Sequence, residues 1–404
     1  TTRNQTQQKR TPARQKRRDE VAVRAGSKVI KQDELSGGLK VGRASTYDHV
    51  HELVLTELQD ITHESDAIKA GSVGLCNLGN TCFMISSLQC LSNTIPLTDY
   101  CLGYDYRKEI NRDNVLGTHG QLITAYTELM KQMWLGTMQF TEPSAFLLCL
   151  CQFAPQFAGG QQHDAQELLT FLLDGIHEDL NRVKSRPYLP DKDCDGTNDE
   201  GDAVMAWQNY LLRNRGIVVD LFQGQHRNTM TCRNKLKKQP NGTSGCGHRN
   251  IKFEPFMYLS LPISSKSFTL DECLDLFCME EPLVGENQWY CPNCKTHVDA
   301  TKKFDLWILP PILIVHLKRF DYSGHKIEKP IYYPVQNWDL SRAVQSKSGL
   351  YPLFDLYAVS NHVGGLGEGH YTAFVKNRFD ESWYEMNDSR TRMLDAKTEV
   401  GGNP

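Results

Sequence analysis

Three groups of residues in this 404-residue chain have the types and spacing that chemistry needs. The first centres on Cys82, within the run Gly74-Leu75-Cys76-Asn77-Leu78-Gly79-Asn80-Thr81-Cys82-Phe83-Met84. Phe83, Met84, Leu88 and Leu91 follow at helical spacing, and Asn80 and Thr81 are capping types, so Cys82 is expected in a first helical turn. Unpaired amides and the helix dipole favour a thiolate there, and the thiolate is the nucleophilic form. A small buried cysteine is the plain alternative. The second group is Gly369-His370-Tyr371-Thr372-Ala373-Phe374 with Trp383-Tyr384-Glu385-Met386-Asn387-Asp388. If these segments form a hairpin, His370 can take the Cys82 proton while Asn387 orients the imidazole, with Asp388 as competitor for that role. Taken alone, His370 reads equally as a strand-end histidine and Asn387-Asp388 as a turn. Acyl transfer also needs oxyanion donors, for which the Cys82 amide and the Asn77 side chain are candidates. Asn77 also suits a left-handed turn, and both readings can hold.

The third group is metal-binding in type. Cys291-Pro-Asn-Cys294 is half of a tetrahedral site, and Cys232 with Cys246-Gly247-His248 supplies the other half. Four thiolates would close a structural zinc site, and His248 could replace one of them. Thirteen residues separate Cys232 from Cys246, a Lys-, Asn- and Gly-rich stretch that reads as a loop inserted in a knuckle. A finger that has lost its metal is the alternative. Four protein ligands leave no open position, so a catalytic metal is not expected. Asp191 to Asp202 matches half of a calcium loop but ends in Asp and lacks an entering helix, so it is taken as an acidic turn-rich loop. Asn241-Gly242-Thr243 is a glycosylation sequon by letter only.

Elements must hold these groups in place. Residues 1 to about 40 are polar, lack aromatics and carry the basic run Lys9 to Arg18, a stretch unable to bury a core. That run is either a nuclear-import or anionic-surface tag or a solvated tail. Residues 47–69 read as a helical lead-in, and Gly71 to about Arg215 is helical in pattern. Thr141 and Pro143 open a segment with Phe146, Leu147 and Leu150. The clearest helix runs from Gln161 to Leu180, with Ala165, Leu168, Leu169, Leu172, Leu173 and Ile176 on one face; another covers Ala203 to Arg213. Strand segments are Ile217–Phe222, Ile251–Leu261, Lys302–Leu309, Ile312–Phe320, Phe354–Ser360, Tyr371–Lys376 and Trp383–Met386. Helices first and strands later predict an α+β fold, with the cysteine facing a sheet. A net charge of −3 gives no basic field for nucleic acid, and no apolar run reaches the roughly 18 residues of a membrane span. Thirteen cysteines in these contexts read as thiols plus one zinc site in a reducing compartment, not as disulfides. The start at Thr1 and the end at Gly-Gly-Asn-Pro read as a piece of something longer.

The Cys82 run resembles the cysteine box of the ubiquitin-specific proteases, and the His370 and Asn387 segments resemble their histidine box. Gln162-His163-Asp164-Ala165-Gln166-Glu167 and Leu317-Lys318-Arg319-Phe320 are similar to two further family boxes, all in order over about 71 to 395. The resemblance implies a papain-like, right-hand α+β fold with a helical thumb at 71–216, zinc-bearing β-rich fingers at 217–300 and a β-sheet palm at 301–395. Residues 1–70 and 396–404 would flank it. It implies hydrolysis at the ubiquitin C-terminus, with Cys82 as nucleophile, His370 as base, Asn387 as third member and Asn77 as oxyanion donor. Asp164 and Glu167 would pair with arginines of the ubiquitin tail, with Gln162 and Tyr371 as further substrate contacts, although Asp164 also suits a helix dipole. Cys232, Cys246, Cys291 and Cys294 would hold structural Zn2+. Ubiquitin and ubiquitinated proteins are the implied partners of a monomer in cytoplasm or nucleus, with no nucleic acid and no membrane. Tyr188 to Asp202, Ala206-Trp207 and Val219 to Gly224 resemble members that often carry a ubiquitin-like insertion in the fingers, absent here. Four departures stand out: Ile85 where the family usually has Asn, Glu368 beside the base, Asn387 where many relatives have Asp, and the widened knuckle.

Overall fold

The computed structural model describes residues 69–103, 105–190, 192–234, 245–320, 323–346, 353–365 and 367–400. The basic run, the lead-in up to residue 68 and the sequon lie outside them. Strand β1 (Gly74–Leu75) pairs in parallel with β2 (Phe140–Thr141). Among these lie helices α1 (Cys82–Ser92), α2 (Ile95–Gly103) and α3 (Gln121–Leu135), followed by α4 (Ser144–Phe153), α5 (Ala165–Asp179), α6 (Asp199–Leu211) and α7 (Ile217–Phe222). The strands then begin with β3 (Gly224–Cys232), β4 (Arg249–Phe256) and β5 (Tyr258–Pro262), and α8 (Leu270–Cys278) follows. Next come β6 (Glu281–Leu283), β7 (Trp289–Cys291), β8 (Thr296–Val298), β9 (Ala300–Ile308) and β10 (Ile314–Lys318). The chain closes with β11 (Trp338–Asp339), β12 (Leu353–Phe354), β13 (Ala358–Gly365), β14 (Glu368–Lys376), β15 (Trp383–Asn387) and β16 (Arg390–Leu394).

Helix α1 is the hub. All its residues except Cys90 are buried, and it packs against α5 on one side and β14 on the other. Phe83, Met84, Ile85 and Leu88 join Tyr126, Met130 and Trp134 of α3 in the largest apolar core. At about 1.5–3 kcal/mol for each large side chain removed from water, that core anchors α1. Its serines reach α5 and β13: Ser87 Oγ donates to Ala165 O at 3.2 Å, and Ser86 Oγ meets Ser360 Oγ at 3.0 Å. Buried Asp179, at the end of α5, accepts from Thr118 N, Gly120 N and Ile123 N and so ties α5 to the start of α3.

Among the described residues the larger sheets are two of four strands, beside four two-stranded pairings that include β5–β10. One has the order β4-β3-β9-β6 and is antiparallel throughout; the other is the meander β13-β14-β15-β16. Strand β9 crosses the expected boundary at residue 300 and stays hydrogen-bonded to β3.

Several expectations need correction. Ile217–Phe222 is helix α7, not a strand: its five apolar residues are all buried, and it packs on α2 and α5, so tertiary burial overrides β-branched propensity. Ile251–Leu261 divides at Met257 into β4 and β5, which belong to different sheets. The second helix begins at Asp199 rather than Ala203, because Asn198 caps it by accepting from Gly201 N. Asp199, Glu200 and Asp202 therefore occupy a helix start, where carboxylates are favourable. Among the elements beyond those expected, two matter most here. Strand β3 is polar and lacks a clear apolar alternation, while α8 carries a complete capping box between Thr269 and Glu272. Among the described residues, no helix is long and apolar enough to cross a membrane.

Candidate active site

Backbone contacts fix the loop before Cys82. Leu75 N donates to Asp388 O at 2.9 Å, and Cys76 N donates to Thr141 O at 2.9 Å. A Cβ on Gly74 would lie 2.5 Å from the Ser389 backbone, so only glycine lets β1 approach the turn after β15. Asn77 Oδ1 accepts from Gly79 N, Thr81 N and Thr81 Oγ1, each at 3.1 Å, and Thr81 Oγ1 accepts from Leu78 N at 2.9 Å. Gly79 and Asn80 adopt left-handed φ values of 103° and 55°, which these two residue types tolerate. Thr81 is the N-cap by position, but its hydroxyl serves this loop and no side chain caps α1. Thr81 O accepts from Met84 N and Ile85 N at 3.0 Å. The amides of Cys82 and Phe83 are thus donors without an acceptor among the described contacts, at the positive end of a helix dipole.

Cys82 opens α1 as expected and is 1% exposed. His370 lies near the start of β14 and Asn387 at the end of β15, and these two strands pair antiparallel. His370 Nε2 and Asn387 Oδ1 are 2.9 Å apart. That bond assigns Nε2 to the orienting amide and leaves Nδ1 as the other ring nitrogen. Asp388, the competitor, faces elsewhere: it sits in a left-handed turn with φ 51°, and its Oδ2 accepts from Asn77 Nδ2 at 3.2 Å. Asp388 therefore positions the amide of Asn77, whose nitrogen points away from the loop that its oxygen organises.

Gln162 joins the two halves. Its Oε1 lies 3.7 Å from Cys82 Sγ, and its Nε2 donates to Gly369 O at 3.3 Å and to Asn80 Oδ1 at 3.4 Å. Asn80 Nδ2 in turn donates to Gly160 O at 2.8 Å. The Cys82 thiol thus meets the Gln162 amide in this resting arrangement. Nothing in the spacing of the chain announces these contacts, which join residues 80 and 207 positions apart.

Asp164 caps α5, with Oδ1 accepting from Gln166 N at 2.7 Å. It is exposed, as is Glu167 in the first turn. Tyr371 lies beside it: burial pushes the phenol up to about 12, and the Asp164 and Cys82 charges add to that shift. Asp164 also acts on His316 and His362, both held below their ordinary value chiefly by burial. Gln162 touches Cys82 and the Tyr371 phenol feels the charges of both Asp164 and Cys82, while Glu167 stands in the first turn of α5. Ile85 is buried in the helical core and Glu368 is exposed at the β13–β14 tip, opposite Gly365.

The four expected metal ligands also converge. The sulfurs of Cys232, Cys246, Cys291 and Cys294 all lie within 4.8 Å of one another. Cys232 and Cys294 are 3.8 Å apart and Cys246 and Cys291 3.7 Å. Zn–S bonds of about 2.3 Å in a tetrahedron give S···S edges of about 3.8 Å. The widened knuckle is harmless because β3 and β4 pair up to Thr231–Arg249, and Cys232 N donates to His248 O at 3.1 Å. The flanking strand ends are already together where the described residues stop and resume. His248 stacks on Trp289, rings parallel within 2°, and lies outside the thiol set.

The family model described as ubiquitin carboxyl-terminal hydrolase matches residues 73–402. The chain belongs to that family. Ubiquitin carboxyl-terminal hydrolase 2 of Rattus norvegicus is 37% identical over 326 residues, 79% of this chain and 50% of that protein. Putative ubiquitin carboxyl-terminal hydrolase 11 of Arabidopsis thaliana is 28% identical, covering 80% of this chain and 63% of that protein. The chain thus spans between half and just under two thirds of these relatives. In solved structures, the SAGA Ubp8/Sgf11/Sus1/Sgf73 DUB module bound to ubiquitin aldehyde superposes with a TM-score of 0.63 at 23% identity, covering 88% of this chain and 73% of that one. The same module bound to monoubiquitin gives 0.62 at 24%. This likeness establishes the right-hand fold of ubiquitin-specific proteases expected from the boxes. The cysteine box runs from β1 into α1, the Gln162 box opens α5, the Leu317–Phe320 box spans the end of β10 and the histidine box lies on β14 and β15.

Proposed function

We propose that the chain is a thiol-dependent deubiquitinase, cleaving the isopeptide or peptide bond at the C-terminal glycine of ubiquitin. The observation that carries this reading is the 2.9 Å His370–Asn387 bond on a hairpin packed against the helix that Cys82 opens. His370 removes the Cys82 proton, and the sulfur adds to the glycine carbonyl carbon. The resulting oxyanion is met by the Cys82 amide and by Asn77 Nδ2, which Asp388 orients. When the C–N bond breaks, imidazolium returns its proton to the departing amine and a thioester remains. His370 then takes a proton from water, which hydrolyses the thioester and frees Cys82. Asn387 holds the ring throughout, as an amide does in Cys-His-Asn proteases. Asp164 and Glu167 would bind tail arginines, with Gln162 and Tyr371 lining the tail's path.

The tetrahedral edges among the four sulfurs favour Zn2+, held for structure only, since four ligands leave it no open position. Ubiquitin and ubiquitinated proteins are the partners of this reading, acting on a monomer in the cytoplasm or nucleus. Hydrolysis of a fluorophore from the ubiquitin C-terminus tests it, compared with other ubiquitin-like modifiers on the same fluorophore. Preferential release from ubiquitin is expected; preferential release from another modifier reassigns the substrate. The second reading is a catalytically weak ubiquitin-binding scaffold. It is favoured by the contact of Cys82 with Gln162 in place of the imidazole, and ubiquitin binding without turnover would establish it.

A further inference from the structure

Lys326 grips the hairpin that carries the base. Its Nζ donates to His362 O at 2.8 Å and to Gly364 O at 2.9 Å. Both carbonyls belong to β13, the edge strand of its sheet. Residues two apart on a strand point the same way, so these oxygens share the outer edge, where no strand pairs with them. The residue between them, Val363, points its backbone inward and is the register partner of His370 on β14. The grip also fixes the His362 ring, which lies 4.5 Å from the Tyr371 ring and fills the space a Cβ on Gly369 would need.

Lys326 is itself held. Ile327 N donates to Arg319 O at 2.6 Å, and Arg319 Nη1 donates to Ile327 O at 3.0 Å and Lys329 O at 2.8 Å. Two cations in sequence therefore bind backbone carbonyls, from the end of β10 to the hairpin tip. Gly364 and Gly367 take left-handed φ values of 95° and 85°, which glycine adopts without strain.

We propose that Lys326 is a positioning residue for His370, and that Arg319 is the anchor through which it acts. The base is held by Asn387 on one side of β14 and by the Lys326-clamped strand on the other. This inference rests on the proposed protease reading for its kinetic consequence, but the clamp itself can be measured without turnover. A charge-assisted bond to two carbonyls is lost in Lys326→Met, which keeps the length and apolar stem.

Amide hydrogen exchange on the full chain reads the clamp directly. Lys326→Met should speed exchange at 361–370 about tenfold, leaving α1, α3 and α5 unchanged. With a ubiquitin C-terminal fluorophore, kcat should fall about tenfold while KM stays within about twofold, because a misplaced base costs chemistry more than binding. Lys326→Arg should restore kcat to within about threefold, since a second cation can reach the same carbonyls. Unchanged exchange at 361–370, or a general increase across the molecule, overturns the assignment. Failure of Lys326→Met and Lys326→Gln to fold would make the lysine a fold determinant and would overturn it too. If the wild type releases no fluorophore while the exchange result holds, the protease reading fails and the clamp stands.

Discussion

Cysteine does opposite work at the two ends of this molecule. At the start of α1 a single thiol faces a helix dipole, two unpaired amides and an imidazole-bearing hairpin. At the far end of the β3–β4–β9 sheet four thiols face one another, with Asn234 Nδ2 donating to Cys294 Sγ at 3.5 Å. In the first a buried thiol meets one side-chain amide, that of Gln162; in the second the sulfurs gather within 4.8 Å of one another. In the proposed reading, position rather than residue type separates nucleophile from ligand. A third class shows the default: Cys90 and Cys101 are pushed up to about 12 by burial, and Cys76 is raised by burial and then by the Glu142 and Asp388 charges. Those thiols have neither a dipole nor a partner base, and at neutral pH they stay protonated.

If the two ends do independent work, substitutions should separate cleanly. Cys82→Ala should lower hydrolysis of ubiquitin–fluorophore by about 10^4-fold or more, with unchanged zinc content and a Tm within about 2 °C. Any loss of zinc in that variant would break the separation. Asn387→Ala should lower kcat about 100-fold by freeing the His370 ring, while Asn387→Asp should stay within about tenfold of wild type. Cys291→Ser should take bound zinc from about one equivalent to under a tenth and lower Tm by about 5–10 °C. Its remaining folded fraction should still label at Cys82. At the smaller end, Asp164→Ser keeps an N-cap and removes a charge, so KM should rise about tenfold with little change in Tm. A drop in Tm of several degrees with unchanged KM would reduce Asp164 to a cap.

The site was more legible than the scaffold. Cys82, His370, Asn387 and the four-cysteine set are local patterns whose residue types state their chemistry; the structure pairs His370 with Asn387, gathers the four sulfurs, and puts Cys82 against Gln162. What stayed hidden depends on long-range contact. Asn387 and Asp388 are adjacent in sequence, and only the reach of Asn77 to Asp388 separates their roles. Gln162 entered as a substrate contact, yet its bridge from Cys82 to Gly369 needs three distant segments to meet. Lys326 carried no signal, since a lysine in a polar loop is ordinarily solvated. Strand β3 is polar because its side chains face a sheet only partly covered on either side, and α7 is a strand by propensity and a helix by burial. The capping box of α8 was readable in Thr269-Leu270-Asp271-Glu272.

The most direct test is to expose the full chain to ubiquitin bearing a C-terminal electrophile and to locate the adduct by peptide mass spectrometry. The account predicts one ubiquitin per chain, attached at Cys82 and at none of the other twelve cysteines. It also predicts loss of the adduct in Cys82→Ala and slow formation in His370→Ala. No adduct despite ubiquitin binding, or attachment at Cys76 or a zinc-cluster cysteine, would contradict it.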